Sequence, residues 1–302
     1  MDDGRPPIEE LYNLFLEMKR DVNWEIQIVD THLLKEDIQE IPFPLLSIKT
    51  RKKGKAVWVI GGIHGEEPAG PIAISRSLSL LRELASKGIN FVMLPICNPT
   101  GYFRNWRYLK HRENWEIGKS IGDCESFLLN EHGVPRSSEP PFEYTRKFIE
   151  KVLEIARDYP PTLVLDLHED DPNFADPTFI GNLDEARKTY IYSQGFKGAE
   201  DPVAQRIVKI LRESGQPIKM SGNSCSLLEG QIVEGIVSGV NDSSVDELLA
   251  SSTIIFEKGI SSGPHANSVV VVETLTEVPL EERVKIHQRI LEELESFIEL
   301  TQ

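Results

Sequence analysis

Four stretches of the sequence are apolar on both faces rather than at alternate residues: KAVWVIGG (55–62), FVMLPI (91–96), TLVLDLH (162–168) and SVVVVE (268–273). A strand with one face in water alternates apolar and polar side chains. A run that is apolar throughout must be covered on both sides, which is the condition of a parallel sheet packed between helices. Helical spacing fills the intervals. In PIEELYNLFLEMKRD the residues Ile8, Leu11, Leu14, Phe15 and Met18 share one face, with Pro7 suited to a first turn. Ile72, Ala73, Leu78, Leu81 and Leu84 predict a helix from Pro68 to about Lys87, and further helices are expected over about 143–159, 202–214 and 280–300. Two extended stretches, WEIQIV and LLSIKT, precede the first buried strand. The alternation predicts an α/β fold around a largely parallel sheet. No repeat, low-complexity tract or linker divides the chain, so residues 1–302 are read as a single domain, with 218–265 as a possible insertion.

Composition narrows the function. With 33 Lys and Arg against 48 Asp and Glu, the net charge is −15, which disfavours a nucleic-acid binder because phosphate neutralisation needs a basic face. No apolar run approaches the roughly 18 residues of a membrane span. The start, MDDGRPPIEE, has neither the basic region nor the apolar stretch of a signal peptide, and three cysteines without metal-knuckle spacing do not make a disulfide framework. A cytoplasmic globular protein is expected.

The chemistry-bearing residues gather where buried strands end, and in open α/β sheets that is where ligands bind. KAVWVIGG runs directly into Ile63, His64, Gly65, Glu66 and Glu67, while TLVLDLH ends in His168 and SVVVVE in Glu273. His64 and Glu67, three apart on a turn, can converge on one ion. With a second His from a distant strand they make the ligand set of a catalytic zinc site, which keeps a fourth position for water. Each residue alone has a plainer reading. His168 can be a hydrogen-bonded strand-end histidine, and Glu273 a carboxylate emerging into solvent. The conjunction of all of them at strand ends favours the metal. Near such a metal Glu273 suits a general base. Asp166 lies two before His168 on the same strand face, where it can accept the imidazole N–H or pair with a base elsewhere.

Residues 98 to about 140 are the least regular part and are rich in aromatic and basic side chains, as expected of a functional loop. GGIHGEEPAG lacks the G-x-G-x-x-G spacing of a dinucleotide fingerprint, and SGNSCS lacks the G-x-S-x-G elbow, which leaves Cys225 without the setting of a nucleophile. Glu169, Asp170 and Asp171 read as a solvated acidic loop in preference to a second cation site, and His287 as a packed helix residue.

These residues resemble the zinc carboxypeptidases of the carboxypeptidase A type, whose fold is shared by succinylglutamate desuccinylase and aspartoacylase. GGIHGEEPAG resembles the first zinc motif, NPTGYFRNWR the Asn-Pro-x-Gly turn with its following arginine, RSSEPPFEYTRKFIEKV the Ser-Glu-Pro segment, and VVETLTEVPLEERVKIHQRIL the catalytic-glutamate strand with its helix. The likeness runs from about residue 55 to 300, with 175–265 unmatched. It implies a single α/β domain with a mixed, largely parallel central sheet covered by helices on both faces. It also implies one Zn²⁺ per chain held by His64, Glu67 and His168. Glu273 would activate the zinc-bound water, and Arg107 would stabilise the oxyanion, with Arg104 as second choice. Where the family carries Asn-Arg to grip a substrate carboxylate, this chain reads His111-Arg112-Glu113-Asn114-Trp115. There Arg112 and Asn114 are candidates to bind substrate, and Glu113 would repel a carboxylate. The implied activity is a metallocarboxypeptidase acting on peptides. The alternatives are a deacylase of N-acyl amino acids and a non-catalytic binding protein that kept the fold.

Overall fold

The doubly apolar runs lie at the centre of a ten-stranded sheet of order β1-β2-β4-β3-β5-β12-β6-β9-β8-β7. The computed structural model describes residues 3–36, 39–109, 120–139, 141–170, 188–195, 197–223, 230–239, 241–257 and 259–301. The strands are β1 (Trp24–Glu36), β2 (Gln39–Thr50), β3 (Ala56–Gly61), β4 (Asn90–Leu94), β5 (Pro161–Asp170), β6 (Ile191–Ser193), β7 (Ser221–Asn223), β8 (Gln231–Val233), β9 (Ile236–Ser238), β10 (Thr253–Phe256), β11 (Gly259–Ser262) and β12 (Ser268–Leu275). The helices described are α1 (Ile8–Leu16), α2 (Ala69–Arg76), α3 (Leu78–Ser86), α4 (Pro99–Arg104), α5 (Glu143–Asp158), α6 (Pro202–Glu213), α7 (Val245–Ala250), α8 (Leu280–Glu292) and α9 (Leu294–Leu300). β4, β3, β5 and β12 run parallel, and the antiparallel β1–β2 hairpin joins one edge through β2 and β4. β6 pairs antiparallel to β12 at the other side, so the sheet is mixed but parallel at its centre.

Every residue of β3 is buried, as its composition requires. Its odd and even residues feed two separate cores. Val57 and Val59, with Leu163, Leu165, Leu167, Val270 and Val272, pack under α1, α2, α3, α6, α8 and α9. Trp58 and Ile60, with Val164 and Val269, pack under α5 and under Val245, Leu248 and Leu249 of α7. The 218–265 stretch supplies β7, β8 and β9 at the far edge of the sheet, the covering helix α7 and the small β10–β11 hairpin.

Two helices predicted as continuous are broken. The Pro68–Lys87 helix divides at Ser77, whose N–H is shared between the carbonyls of Ala73 and Ile74, a tightening that ends the first piece. The last helix divides at Glu293, and Leu294 and Phe297 then remain fully buried. The β1–β2 hairpin is also longer than the two predicted stretches. Its bulge between Ile28 and Asp30 lets twelve- and thirteen-residue strands curl over α5.

On that hairpin His32 is buried against the Tyr144 ring, with centroids 4.6 Å apart, and neither ring nitrogen has a hydrogen-bond partner among the described residues. Burial lowers its imidazole to about 4 from 6.5, against the pull of Asp30. His287, buried in α8, is shifted the same way by burial, to about 3. The unfolded chain therefore takes up protons first as pH falls below about 6.5, and stability is lost from there toward 4. His32→Phe removes one such group and two unpartnered nitrogens. It is expected to raise stability at pH 7 by about 1 kcal/mol and to lessen the fall in Tm between pH 7 and 4.5. Thermal melts at the two pH values check this; an unchanged difference would show that His32 does not contribute.

Candidate metal centre

β4 and β5 lie on opposite sides of β3, so the strand order reverses there and a crevice opens at the carboxyl ends of β3 and β5. His64 sits three residues beyond β3, and His168 lies near the end of β5. Both are brought to this crevice together with Glu67. The Glu67 carboxylate spans the two imidazoles, with Oε1 2.7 Å from His64 Nδ1 and Oε2 2.9 Å from His168 Nδ1. One donor atom from each residue lies within 4.8 Å of the others, the single such group among the described residues, so one ion can reach all three. Two imidazoles and a carboxylate fit a divalent metal of the zinc type.

The groups around these three residues hold them in place. His168 Nε2 lies 3.2 Å from Asp166 Oδ1, the first of the two pairings that their shared strand face left open. The backbone N–H of Glu169 donates to Glu67 Oε2 at 3.3 Å. Glu169 itself corrects the reading of a solvated acidic loop: it is 3% exposed, accepts the N–H of Ala69 at the start of α2 at 2.8 Å, and pairs with Arg283 of α8. A carboxylate at a helix N-terminus satisfies an otherwise orphaned donor. His287 is packed, as predicted, and bonds Thr274 Oγ1 at 3.2 Å.

Arg107 reaches the centre from the loop after α4. Asn98 caps α4 through Gly101 N, with Pro99 in the first turn, so NPTG opens a short helix instead of forming a free turn. Asn105 ends it in the left-handed conformation, φ 56° and ψ 47°, and turns the chain back. Arg107 then donates from Nη1 to Glu66 Oε1 at 2.8 Å and to Glu67 Oε1 at 2.9 Å. Glu66 was not singled out by sequence, although it stands inside the His-Gly-Glu-Glu motif. Tyr108 adds an edge-on contact to the His64 ring, with centroids 6.1 Å apart. Arg104 stacks on Phe103 at 5.4 Å. Arg112 and Asn114 lie outside the described residues.

Glu273 is the register partner of His168 across the parallel β5–β12 pair, so both side chains share one face of the sheet. Burial, reinforced by Glu67 and Asp170 and opposed by His168, pushes its carboxyl well above the usual range. Burial alone would raise Glu67 too, but the two imidazoles hold it well below. Burial and Arg107 lower His64 to about 4. For His168 burial is outweighed by Asp166 and Glu67, which raise it well above its ordinary value. Asp242 and Asp246 beside His168 are both raised chiefly by burial, which favours their neutral forms, and Ser244 Oγ bonds to both carboxyl groups.

No family model matches the sequence, and no curated protein does. Solved structures do match the fold. A candidate metallopeptidase from Shewanella amazonensis is 19% identical, with a TM-score of 0.68 over 97% of this chain and 93% of its own. Bovine thrombin-activatable fibrinolysis inhibitor, solved with tick carboxypeptidase inhibitor, is 14% identical, with a TM-score of 0.56 over 98% of each chain. Carboxypeptidase A from Helicoverpa armigera is 12% identical, with a TM-score of 0.56 over 99% of this chain and 74% of its own. The fold is thus the carboxypeptidase fold that the sequence resemblance implied.

The ligand loop and the Arg107 loop meet at two glycines. A Cβ on Gly65 would fall 2.0 Å from the Gly101 carbonyl carbon, so no side chain fits without backbone movement. Gly65→Ala is expected to cost about 1–3 kcal/mol in denaturant unfolding. Gly259→Ala, where nothing lies within 4 Å, is expected to be close to neutral. Equal effects of the two substitutions would contradict this packing.

Proposed function

We propose that this chain is a zinc-dependent hydrolase of amide bonds, acting on peptides as a metallocarboxypeptidase. The observation that carries the reading is the convergence of His64, Glu67 and His168 within 4.8 Å at the strand-order reversal of a carboxypeptidase fold. These three residues would hold the ion, and two imidazoles with one carboxylate suit Zn²⁺. A divalent cation there supplies Lewis acidity, lowering the pKa of a water and polarising a carbonyl.

The chain's own residues divide the remaining work. Glu273 takes the proton of the attacking water and returns it to the leaving amine. A carboxyl raised by burial suits this exchange, since its proton affinity moves toward the working pH. Arg107, with its cation fixed between Glu66 and Glu67, stabilises the developing oxyanion from one side. Such a donor typically contributes about 10²–10³ in rate. Arg104, Arg112 and Asn114 are candidates for gripping the substrate. The net charge of −15 disfavours a strongly anionic acyl substrate and supports neutral or basic peptides.

Purified protein is expected to carry close to one zinc per chain. His64→Ala or His168→Ala is expected to lose it, as read by elemental analysis; protein that cannot be loaded would contradict the reading. Glu273→Gln is expected to keep zinc and reduce turnover by about 10²-fold or more, since it removes the base but no ligand. A mass-spectrometric screen of peptides beside N-acyl amino acids assigns the substrate. Loss of one C-terminal residue is the expected result; release of an acyl group would instead assign a deacylase.

A further inference from the structure

Arg5 belongs to the short segment before α1, and its side chain is only 11% exposed although Asp3 and Gly4 before it are on the surface. Its guanidinium is unusually well occupied. Nη1 donates to the carbonyls of Gly65 at 3.0 Å and Tyr102 at 2.9 Å. Nη2 donates to the Glu66 carbonyl at 3.3 Å and to Asn105 Oδ1 at 2.6 Å. Nε donates to Asp3 Oδ2 at 2.6 Å. The guanidinium also lies over the Tyr102 ring, 5.2 Å from its centroid, and the Tyr102 hydroxyl donates to the Pro6 carbonyl at 3.1 Å.

The acceptors fall into two groups. Gly65 and Glu66 stand between the ligands His64 and Glu67. Tyr102 and Asn105 belong to α4 and its left-handed cap, two residues before Arg107. These two loops press together so closely at Gly65 and Gly101 that no side chain separates them, and the Gly65 N–H donates to the Arg107 carbonyl at 3.3 Å. A loop that supplies ligands cannot also close its own outward carbonyls. A planar fork with five donors from elsewhere in the chain can do so, whereas a lysine could meet only part of this set.

We propose that Arg5 is a positioning residue of the metal centre: its guanidinium clamps the His64–Glu67 loop to the Tyr102–Asn105 turn, fixing the ligands and Arg107 relative to one another. The clamp's contacts are backbone carbonyls of both loops, Asn105, Asp3 and the Tyr102 ring, and none is a side chain of His64, Glu67, His168, Arg107 or Glu273. It rests on the metal reading above for its consequence, but not for its geometry. Groups that orient metal ligands from outside typically change metal affinity by about 10–100-fold when removed.

The test compares the full chain with Arg5→Ala and Arg5→Lys in two measurements: Zn²⁺ affinity by competition with a chelator, and peptide-resolved hydrogen exchange of the metal-free protein. Arg5→Ala is expected to weaken zinc by about 10–100-fold and to speed exchange in peptides covering 61–70 and 98–109, with the sheet core unchanged. Arg5→Lys is expected to recover only part of each effect. Exchange that rises across the whole chain would mark a general stabiliser and overturn the proposal. So would wild-type zinc affinity together with unchanged exchange in those two peptides. A wild-type chain that binds no zinc, yet shows the local rise in exchange on Arg5→Ala, would sink the metal reading and leave the clamp standing.

Discussion

A carboxylate removed from water is costly unless each of its oxygens is met, and Glu67 is 2% exposed at the mouth of the sheet. Its two oxygens are met by two imidazoles, a guanidinium and a backbone N–H. Those partners come from three parts of the chain, so satisfying one buried anion requires the turn after β3, the end of β5 and the loop after α4 to meet at one point. Glu169 and Arg283 then secure the start of α2 and the flank of β5 against α8. The strand-order reversal at β3 makes the crevice, and the Glu67 anion determines what gathers in it.

Much of this was legible in the residues because the relevant signals are local. β3, β4, β5 and β12 read as buried strands from composition alone, and His64, His168 and Glu273 stood out because polar residues directly follow runs of valine, leucine and isoleucine. The period of two put Asp166 on the face of His168 but left open whether it met the imidazole or a base elsewhere. What escaped had no local mark. Glu169 looked solvated beside Asp170 because its partner, Arg283, lies on a helix far along the chain. Ser77 and Glu293 break helices without glycine or proline, since the breaks answer to packing on the sheet. Arg5 binds mostly backbone carbonyls, which every residue carries, so no pattern of side chains announces it.

The electrostatics give the site its character. Four carboxyl groups stand near His168, Asp166 and Asp246 buried and Asp242 and Glu273 half-buried, and three of them, Asp242, Asp246 and Glu273, are raised above the usual range chiefly by desolvation. Glu67 alone is driven the other way, by the imidazoles it spans. Neighbouring groups whose proton affinities are pushed apart are the usual basis for dividing ligand and acid–base roles within one site.

If Glu67 and the two histidines form a metal centre, anomalous diffraction from zinc-loaded crystals at the zinc absorption edge will show one strong peak within about 2.0–2.2 Å of a nitrogen of His64, a nitrogen of His168 and an oxygen of Glu67. A peak at other residues, or no peak between these three in crystals grown with zinc, would contradict it.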